Sequence, residues 1–283
     1  MQLHALPQKT ILSGNQRLDL SRPHIMGILN VTPDSFSDGG QYQFVENAVA
    51  RALHMVEQGA TIIDIGGEST RPGAAHVAVD EELARVVPVV EALARHQCAW
   101  ISIDTSEPQV IQQAVQAGAH IWNDVRALTR PGALHMAAKL NIPVILMHMR
   151  GEPTTMNQLA SYNDLMHEVI AELSEKVEQA VQAGVERDRI IIDPGFGFAK
   201  NTDHNVELLN QLWQLHQFGL PILSGLSRKR FIGEITAQQK ATDRMIGSVI
   251  GHLLSVQQGA SIVRVHDVSE TKQALDLWMK LYK

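Results

Sequence analysis

The stretch VENAVARALHMVEQGATIIDIGG (45–67) contains the unit that decides the fold. Apolar residues stand at helical spacing in its first part: Val45, Ala48, Val49, Ala52 and Val56. Gly59 supplies the left-handed conformation with which helices commonly end. The run TIIDIGG (61–67) is apolar on both faces, as expected for a strand of a parallel sheet that helices cover. The stretch therefore predicts a helix that leads directly into a buried strand.

The same alternation continues along the chain. Seven further runs predict strands: HIMGILNV (24–31), AWISIDT (99–105), HIWND (120–124), PVILMHM (143–149), RIIIDPG (189–195), PILSG (221–225) and SIVRVH (261–266). Further helices are predicted at 108–117, 132–140, 163–183, 203–216 and 243–257, and in two segments capped by Asp80 and Ser269. Eight strands, each followed by a helix, in 283 residues predict a single α/β domain over residues 1–283, a (β/α)8 barrel.

Composition excludes several classes of protein. The 24 Lys+Arg and 30 Asp+Glu give a net charge of −6, which argues against a dedicated nucleic-acid binder. The single cysteine, Cys98, excludes a disulfide framework, and we expect it to be a small core residue. The 13 His show no metal-site spacing, which argues against a zinc site. No apolar run approaches the length of a membrane span, and MQLHALPQKT (1–10) does not resemble an export signal. We therefore expect a cytoplasmic protein with no membrane partner.

Polar residues end nearly every predicted strand: Asn30, Asp64, Asp104, Asn123, His148, Asp193, Arg264 and His266. A turn or capping role explains any one of them, but a barrel brings all the strand ends to one mouth, where active sites of this fold lie. The frame Gly-Ala-x-Ile recurs at Gly59, Gly118 and Gly259. Five residues beyond these glycines stand Asp64, Asn123 and Arg264. Shared turn chemistry explains the frame equally well, and both interpretations support stacked βα units.

A basic run, Arg228 to Arg230, follows the seventh predicted strand. Such a run is often only a solvated face. Phosphate sites in barrels commonly lie after the seventh and eighth strands, however, and Arg264 and His266 stand on the eighth. The sequence therefore predicts a phosphate or pyrophosphate ligand in this quadrant.

Two long motifs carry a family resemblance: MGILNVTPDSFSDGG (26–40) and GATIIDIGGESTRPGA (59–74). ISIDTS, IWNDVRAL, LMHM, DPGFGFAKN, SRKRFIG and VRVHDV follow in order. From about Asp19 to the last helix, the chain resembles the bacterial dihydropteroate synthases, the folate-pathway enzymes that sulfonamides inhibit. Ala199 is a departure, since some members of the family have glycine there.

The resemblance implies a reaction and a site. The family joins 6-hydroxymethyl-7,8-dihydropterin diphosphate to 4-aminobenzoate and releases pyrophosphate and 7,8-dihydropteroate, with Mg²⁺ on the diphosphate. The implied catalytic residues are Asp104, Lys229, Arg264 and His266. The implied pterin pocket is Asp104, Asn123, Asp193 and Lys229, with Met147 and Phe198 against the ring. Asn30, Arg264 and His266 would hold the diphosphate, with Asn30 as metal ligand, and Val265 belongs to the same substrate-binding segment. The implied 4-aminobenzoate residues are Thr70, Arg71, Pro72 and Ser227.

Two other functions stay open at this point. A pterin-dependent methyltransferase with a corrinoid partner would share Asp64, Asn123 and Asp193, but it has no use for the SRK run (227–229) or the TRPG loop (70–73). A non-catalytic pterin-binding paralogue is the second alternative, and Arg71, Lys229, Arg264 and His266 argue against it. The apolar, glycine-containing helix predicted over 245–256 has a second face to bury, so we expect a homodimer.

Overall fold

A computed structural model describes residues 10–32, 41–68 and 77–282, with all side chains except those of residues 41 and 42. The strands of this part are β1 (Thr10–Ser13), β2 (Gln16–Asp19), β3 (His24–Asn30), β4 (Ile62–Gly66), β5 (Trp100–Asp104), β6 (Ile121–Asp124), β7 (Val144–Met147), β8 (Ile190–Asp193), β9 (Leu223–Ser224) and β10 (Ile262–Val265). Strands β3 to β10 lie within the eight predicted runs.

These eight strands form one parallel sheet in the order β8-β7-β6-β5-β4-β3-β10-β9. A parallel bridge joins Ile192 to Ile222, and the Ile192 N–H donates to the carbonyl of Pro221 at 3.0 Å. This contact brings β8 beside β9 and closes the sheet. The predicted (β/α)8 barrel is therefore confirmed.

The surrounding helices are α1 (Gln41–Glu57), α2 (Val79–Ala94), α3 (Pro108–Gln116), α4 (Ala133–Leu140), α5 (Leu165–Gln182), α6 (Thr202–Asn210), α7 (Arg230–Thr236), α8 (Met245–Gln257) and α9 (Val268–Tyr282). The short helix α7 is not predicted from the sequence, and the predicted helix 203–216 ends at Asn210, followed by a 3₁₀ segment. Asp80 lies in the first turn of α2 and not at its cap, and α9 begins one residue before Ser269. None of the described helices is long and apolar enough to cross a bilayer.

Alternation along the strands produces two layers inside the barrel, because every second side chain points inward. The lower layer is apolar and contains Met26, Ile62, Trp100, Ile121, Ile145, Ile191, Leu223 and Ile262. The residue two positions further along each strand is often polar: Asp64, Ser102, Asn123, Asp193 and Arg264. The interior of the barrel is thus apolar at its N-terminal end and polar towards the C-terminal mouth.

An N-terminal hairpin covers the apolar end of the barrel. Its strands β1 and β2 pair antiparallel around Gly14, and Ile11 and Leu18 join the lower apolar layer. The Ser13 hydroxyl donates to the carbonyl of His120 at 2.9 Å and ties the hairpin to the barrel. Cys98 lies near this end but is exposed, so the expectation of a core cysteine is wrong. The turn before β5 places it on the surface.

Candidate active site

The register of the sheet gathers the predicted polar residues at the mouth. Asn30 lies beside Gly66, Gly66 beside Asp104, and Asp104 beside Asn123, in one row across β3 to β6. On the opposite side, Met147 lies beside Asp193. Residues that are far apart in sequence therefore share a single small region.

Asp64 holds the centre of a buried ionic cluster. Its Oδ2 atom accepts from Asn123 Nδ2 at 3.0 Å and from Arg264 Nε at 2.5 Å, and its side chain is fully buried. Arg264 also donates from Nη2 to Asp104 Oδ2 at 2.7 Å. Burial alone would lower the pKa of Arg264, but Asp64 and Asp104 raise it, so the guanidinium stays charged. The cluster fixes the orientation of Asp104, Asn123 and Arg264 before any ligand arrives.

Two buried carboxylate oxygens of this cluster, Asp64 Oδ1 and Asp104 Oδ1, have no hydrogen-bond partner among the described residues. Asp104 ends β5, whereas Asp64 lies two residues before the end of β4, so Asp104 Oδ1 is nearer the mouth. A buried acceptor without a donor is costly, so the site favours a ligand that donates a hydrogen bond there. Burial raises the pKa of Asp104, against the lowering effect of Arg264.

Asp193 ends β8, Lys229 follows the neighbouring strand β9, and the two side chains interact electrostatically. The Gly195 N–H donates to Asp193 Oδ1 at 2.7 Å, which holds the carboxylate in place. Burial raises the pKa of Asp193, while Lys229 lowers it. Lys229 Nζ donates to the carbonyl of Phe196 and lies 4.5 Å from the centre of the half-buried Phe198 ring. Burial lowers the pKa of Lys229 to about 8, although Asp193 opposes this effect.

Ser227 and His266 form a third part of the site. The Ser227 hydroxyl accepts from the His266 backbone N–H at 3.1 Å and lies 3.0 Å from His266 Nδ1. Ser227 is buried, whereas Asn30 and His266 are half-buried at the rim. Hydroxyl, carboxamide and imidazole groups thus line the side of the mouth near β3 and β10.

The basic run separates into three directions. Arg228 has φ +58°, which turns the chain, and its guanidinium pairs with Asp267. Arg230 is exposed and pairs with Glu234 one turn along α7. Of the three, Lys229 enters the mouth and contacts the loop after β8. The run as a whole therefore does not face the expected phosphate quadrant: Lys229 lies at Phe196 and Phe198, and Arg264 and His266 are the donors on the β10 side.

Some implied site residues lie elsewhere. The Val265 side chain is buried in the apolar cluster between sheet and helices, so it does not line the mouth, and a role of the residue in binding stays a prediction for its backbone. Thr70, Arg71 and Pro72 lie outside the described residues. Ala199, the departure from the family pattern, is buried with φ +47°, a conformation that glycine adopts without strain.

Comparison with known proteins identifies the family. Residues 26–266 match the family described as Pterin binding enzyme. The dihydropteroate synthase of Escherichia coli K12 is 52% identical over 258 residues, which cover 91% of each chain. A structure of Xanthomonas albilineans dihydropteroate synthase with 4-aminobenzoic acid superimposes with a TM-score of 0.91 at 49% identity, covering 97% of this chain and 98% of that one. The same enzyme in complex with 7,8-dihydropteroate gives a TM-score of 0.88 at 46% identity, covering 96% and 98%. The chain therefore belongs to the pterin-binding enzymes and, among them, to the dihydropteroate synthases.

Proposed function

We propose that the described mouth binds 6-hydroxymethyl-7,8-dihydropterin diphosphate and 4-aminobenzoate and transfers the pterinylmethyl group to the aryl amine, with release of pyrophosphate. The observation that carries this assignment is the buried Asp64–Arg264–Asp104 cluster. It presents Asp104 Oδ1, which has no hydrogen-bond partner among the described residues, at the same mouth as Asp193. A pterin edge offers adjacent ring and amino N–H donors, which match acceptors placed in this way.

Asp193, Asp104 and Asn123 hold the pterin in this proposal. Asp193 accepts the ring N–H and amino donors together, one on Oδ2 and one on the second lone pair of Oδ1, whose first lone pair accepts from the Gly195 N–H. Asn123 is oriented by Asp64 and serves the remaining ring edge. Met147 and the Phe198 ring, which Lys229 approaches at 4.5 Å, lie against the faces of the heterocycle. The neutral ring thereby replaces water at the polar mouth of the barrel.

Arg264 and His266 stabilise the leaving group. The C–O bond to the diphosphate breaks while negative charge grows on the departing oxygen, and nearby fixed cations and donors favour that charge. The two carboxylates bind the Nε and Nη2 side of Arg264, so its Nη1 side is the one we assign to the diphosphate. Asp104 stabilises the positive charge left on the pterin methylene. The aryl amine, positioned beside Ser227 and Lys229, then attacks the methylene as a neutral nucleophile, forms the C–N bond and loses one proton to the departing pyrophosphate or to water.

The residues at the rim fit Mg²⁺ as the metal partner of the diphosphate. Asn30 is a half-buried carboxamide at the end of β3, and Mg²⁺ prefers one or two protein oxygen ligands together with phosphates and water. Within the described ranges there is no cluster of three His, Cys, Asp or Glu that would cage a metal alone. Asn30 would hold the ion, and the ion would supply charge neutralisation to the diphosphate.

A cytoplasmic location also stays a prediction.

A homodimer is part of the proposal. Ile246, Ile250 and Leu254 form a stripe along α8, with 68%, 53% and 41% of their surface exposed. Leu277 and Leu281 on the neighbouring helix α9 are exposed by 63% and 69%. A contiguous apolar face of this kind marks an interaction surface. Sedimentation equilibrium should give twice the chain mass of 31.2 kDa.

An assay of the reaction distinguishes the proposed synthase from the pterin-dependent methyltransferase. The purified chain should release pyrophosphate when it is given pterin diphosphate, 4-aminobenzoate and Mg²⁺, and chelation of the metal should stop the release. Activity that instead requires a corrinoid protein would support the methyltransferase.

The pterin pocket is tested by Asp193→Asn. Gly195 keeps one oxygen of the side chain engaged, so the new NH2 group faces the pterin donors and leaves them unpaired. An unpaired buried group costs about 1–3 kcal/mol, and calorimetric pterin affinity should fall at least ~10-fold. Asp203→Asn, at an exposed position of α6, is the matched control and should bind normally. Unchanged affinity in Asp193→Asn would remove this residue from the pocket.

A further inference from the structure

Lys200 is a buried cation that the reaction described above does not use. Its side chain lies behind the loop that follows β8, and the residue is only 6% exposed. Burial lowers the pKa of this lysine to about 7, although Asp193 opposes the effect. No described carboxylate lies within ion-pair distance of its Nζ atom. A buried ammonium without a direct counterion is costly, so its three contacts are informative.

All three ammonium donors of Lys200 have acceptors. Nζ donates to the carbonyls of Gly195 and Phe198 at 3.1 Å each and to His148 Nδ1 at 2.9 Å. The Phe198 N–H also donates to the Gly195 carbonyl at 3.1 Å, so these two residues bracket one tight turn. Lys200 therefore holds both ends of the turn that carries Phe198.

The third contact of Lys200 ties this turn to β7. His148 follows Met147 at the end of β7, and its backbone N–H donates to the carbonyl of Asp193 at 2.8 Å. The chains approach so closely that a Cβ on Gly195 would lie 1.9 Å from the His148 oxygen. Lys200 thus connects the turn to the two strand ends that carry Met147 and Asp193.

His148 is fixed in turn by an outer ionic group. Because Nδ1 accepts from Lys200, the ring proton is on Nε2, which donates to Glu172 at 3.0 Å. Burial lowers the pKa of His148 to about 4, so the ring stays neutral. Arg150 binds Glu172 at 2.9 Å and Glu168 at 2.6 Å. This chain of contacts leads from the surface of α5 to the pterin side of the mouth.

We propose that Lys200 is a positioning residue of the pterin pocket, which sets the turn between Gly195 and Phe198 and so places Phe198 and Asp193 for the heterocycle. The role rests on the proposed function, because it assumes that the pterin lies against this turn. Arg264 is held by Asp64 and Asp104, and His266 contacts Ser227, so we expect the diphosphate side of the mouth to bind its ligand independently of Lys200.

The test compares two partial ligands in Lys200→Met. Calorimetry with 6-hydroxymethylpterin, which lacks phosphate, should show at least a 10-fold loss of affinity. Pyrophosphate with Mg²⁺ should bind within about 2-fold of the wild-type chain. Tyr162→Phe is the matched control: it removes one hydrogen bond of 3.0 Å to the adjacent carbonyl of Ala199 but no buried cation. Its pterin affinity should stay within about 3-fold.

Each alternative outcome is informative. Unchanged pterin affinity, or an equal loss for pterin and pyrophosphate, would overturn the role of Lys200. If Lys200→Met gives no cooperative melting transition, Lys200→Arg serves instead, since it keeps the charge but replaces a compact ammonium by a larger planar group that does not fit the same three acceptors. We expect the same selective loss of pterin affinity, and normal binding in this variant would overturn the proposal. A wild-type chain that does not bind the pterin would contradict the proposed function instead.

Discussion

Lys229→Ala should lower turnover at least ~100-fold while the fold is retained, the range found when one preorganised electrostatic group is removed from an active site. Lys229 is the member of the basic run whose ammonium enters the mouth, where it meets the Phe196 carbonyl and the Phe198 ring. Steady-state kinetics with both substrates measures the effect. Arg230→Ala is the matched control, because its side chain is 73% exposed and pairs with Glu234.

The pH profile of the wild-type chain gives a second measure of Lys229. Burial lowers the pKa of Lys229 to about 8, so the charged form dominates at pH 7 and is lost as the pH rises through that value. Turnover should therefore decrease above about pH 8. If Lys229→Ala were about as active as Arg230→Ala, Lys229 would have no role in turnover. The run 228–230 would then be only a solvated basic surface.

The repeat in the sequence predicts more of the site than any single motif. Gly59, Gly118 and Gly259 have φ values of +109°, +114° and +98°, and each ends a helix before a strand. The residues five positions further along are Asp64, Asn123 and Arg264, and they form the hydrogen-bonded cluster at the mouth. Equal spacing from equivalent turns places side chains at one height in a barrel, which is why the repeat leads to a shared site.

Alternation also explains the direction of the Val265 side chain. Arg264 points into the barrel, so the neighbouring Val265 points towards the helices and packs in the core. Family resemblance places Val265 in the binding segment, but period-two geometry excludes its side chain from the mouth. The direction of a residue within a strand is thus predictable here from its neighbour.

Loop geometry is the part that local patterns do not predict. The separation of Arg228, Lys229 and Arg230 depends on the left-handed conformation of Arg228, which no propensity of arginine favours. Lys200 reaches His148 across 52 positions of the chain. The hairpin strands β1 and β2 have only four residues each, too few for alternation to stand out, although the Gly14–Asn15 pair is a hairpin turn signal.

Arg264→Met should destabilise the fold as well as abolish activity. The variant leaves Asp64 and Asp104, both buried, without their shared cation. Removing one partner of a buried ion pair costs about 3–5 kcal/mol, and we expect the lower end because 21% of the Arg264 side chain is exposed. Chemical denaturation at pH 8 measures the loss. Arg228→Met is the matched control, since its pair with Asp267 lies nearer the surface and should contribute about 1 kcal/mol or less.

The loss in Arg264→Met should depend on pH in a defined direction. Burial, opposed by Arg264, raises the folded-state pKa of Asp104 to about 7, above its ordinary value of 3.8. Between these values the folded state binds more protons than the unfolded state, so stability from this group falls as the pH rises. Without Arg264 the pKa of Asp104 rises further, and the folded variant takes up its proton more readily. The difference in unfolding free energy between wild type and variant should therefore be smaller at pH 5 than at pH 8. Adding Asp64→Asn should recover part of the loss at pH 8, because it removes one of the two uncompensated charges. A difference that is the same at both pH values would show that packing, and not charge, makes Arg264 important for stability.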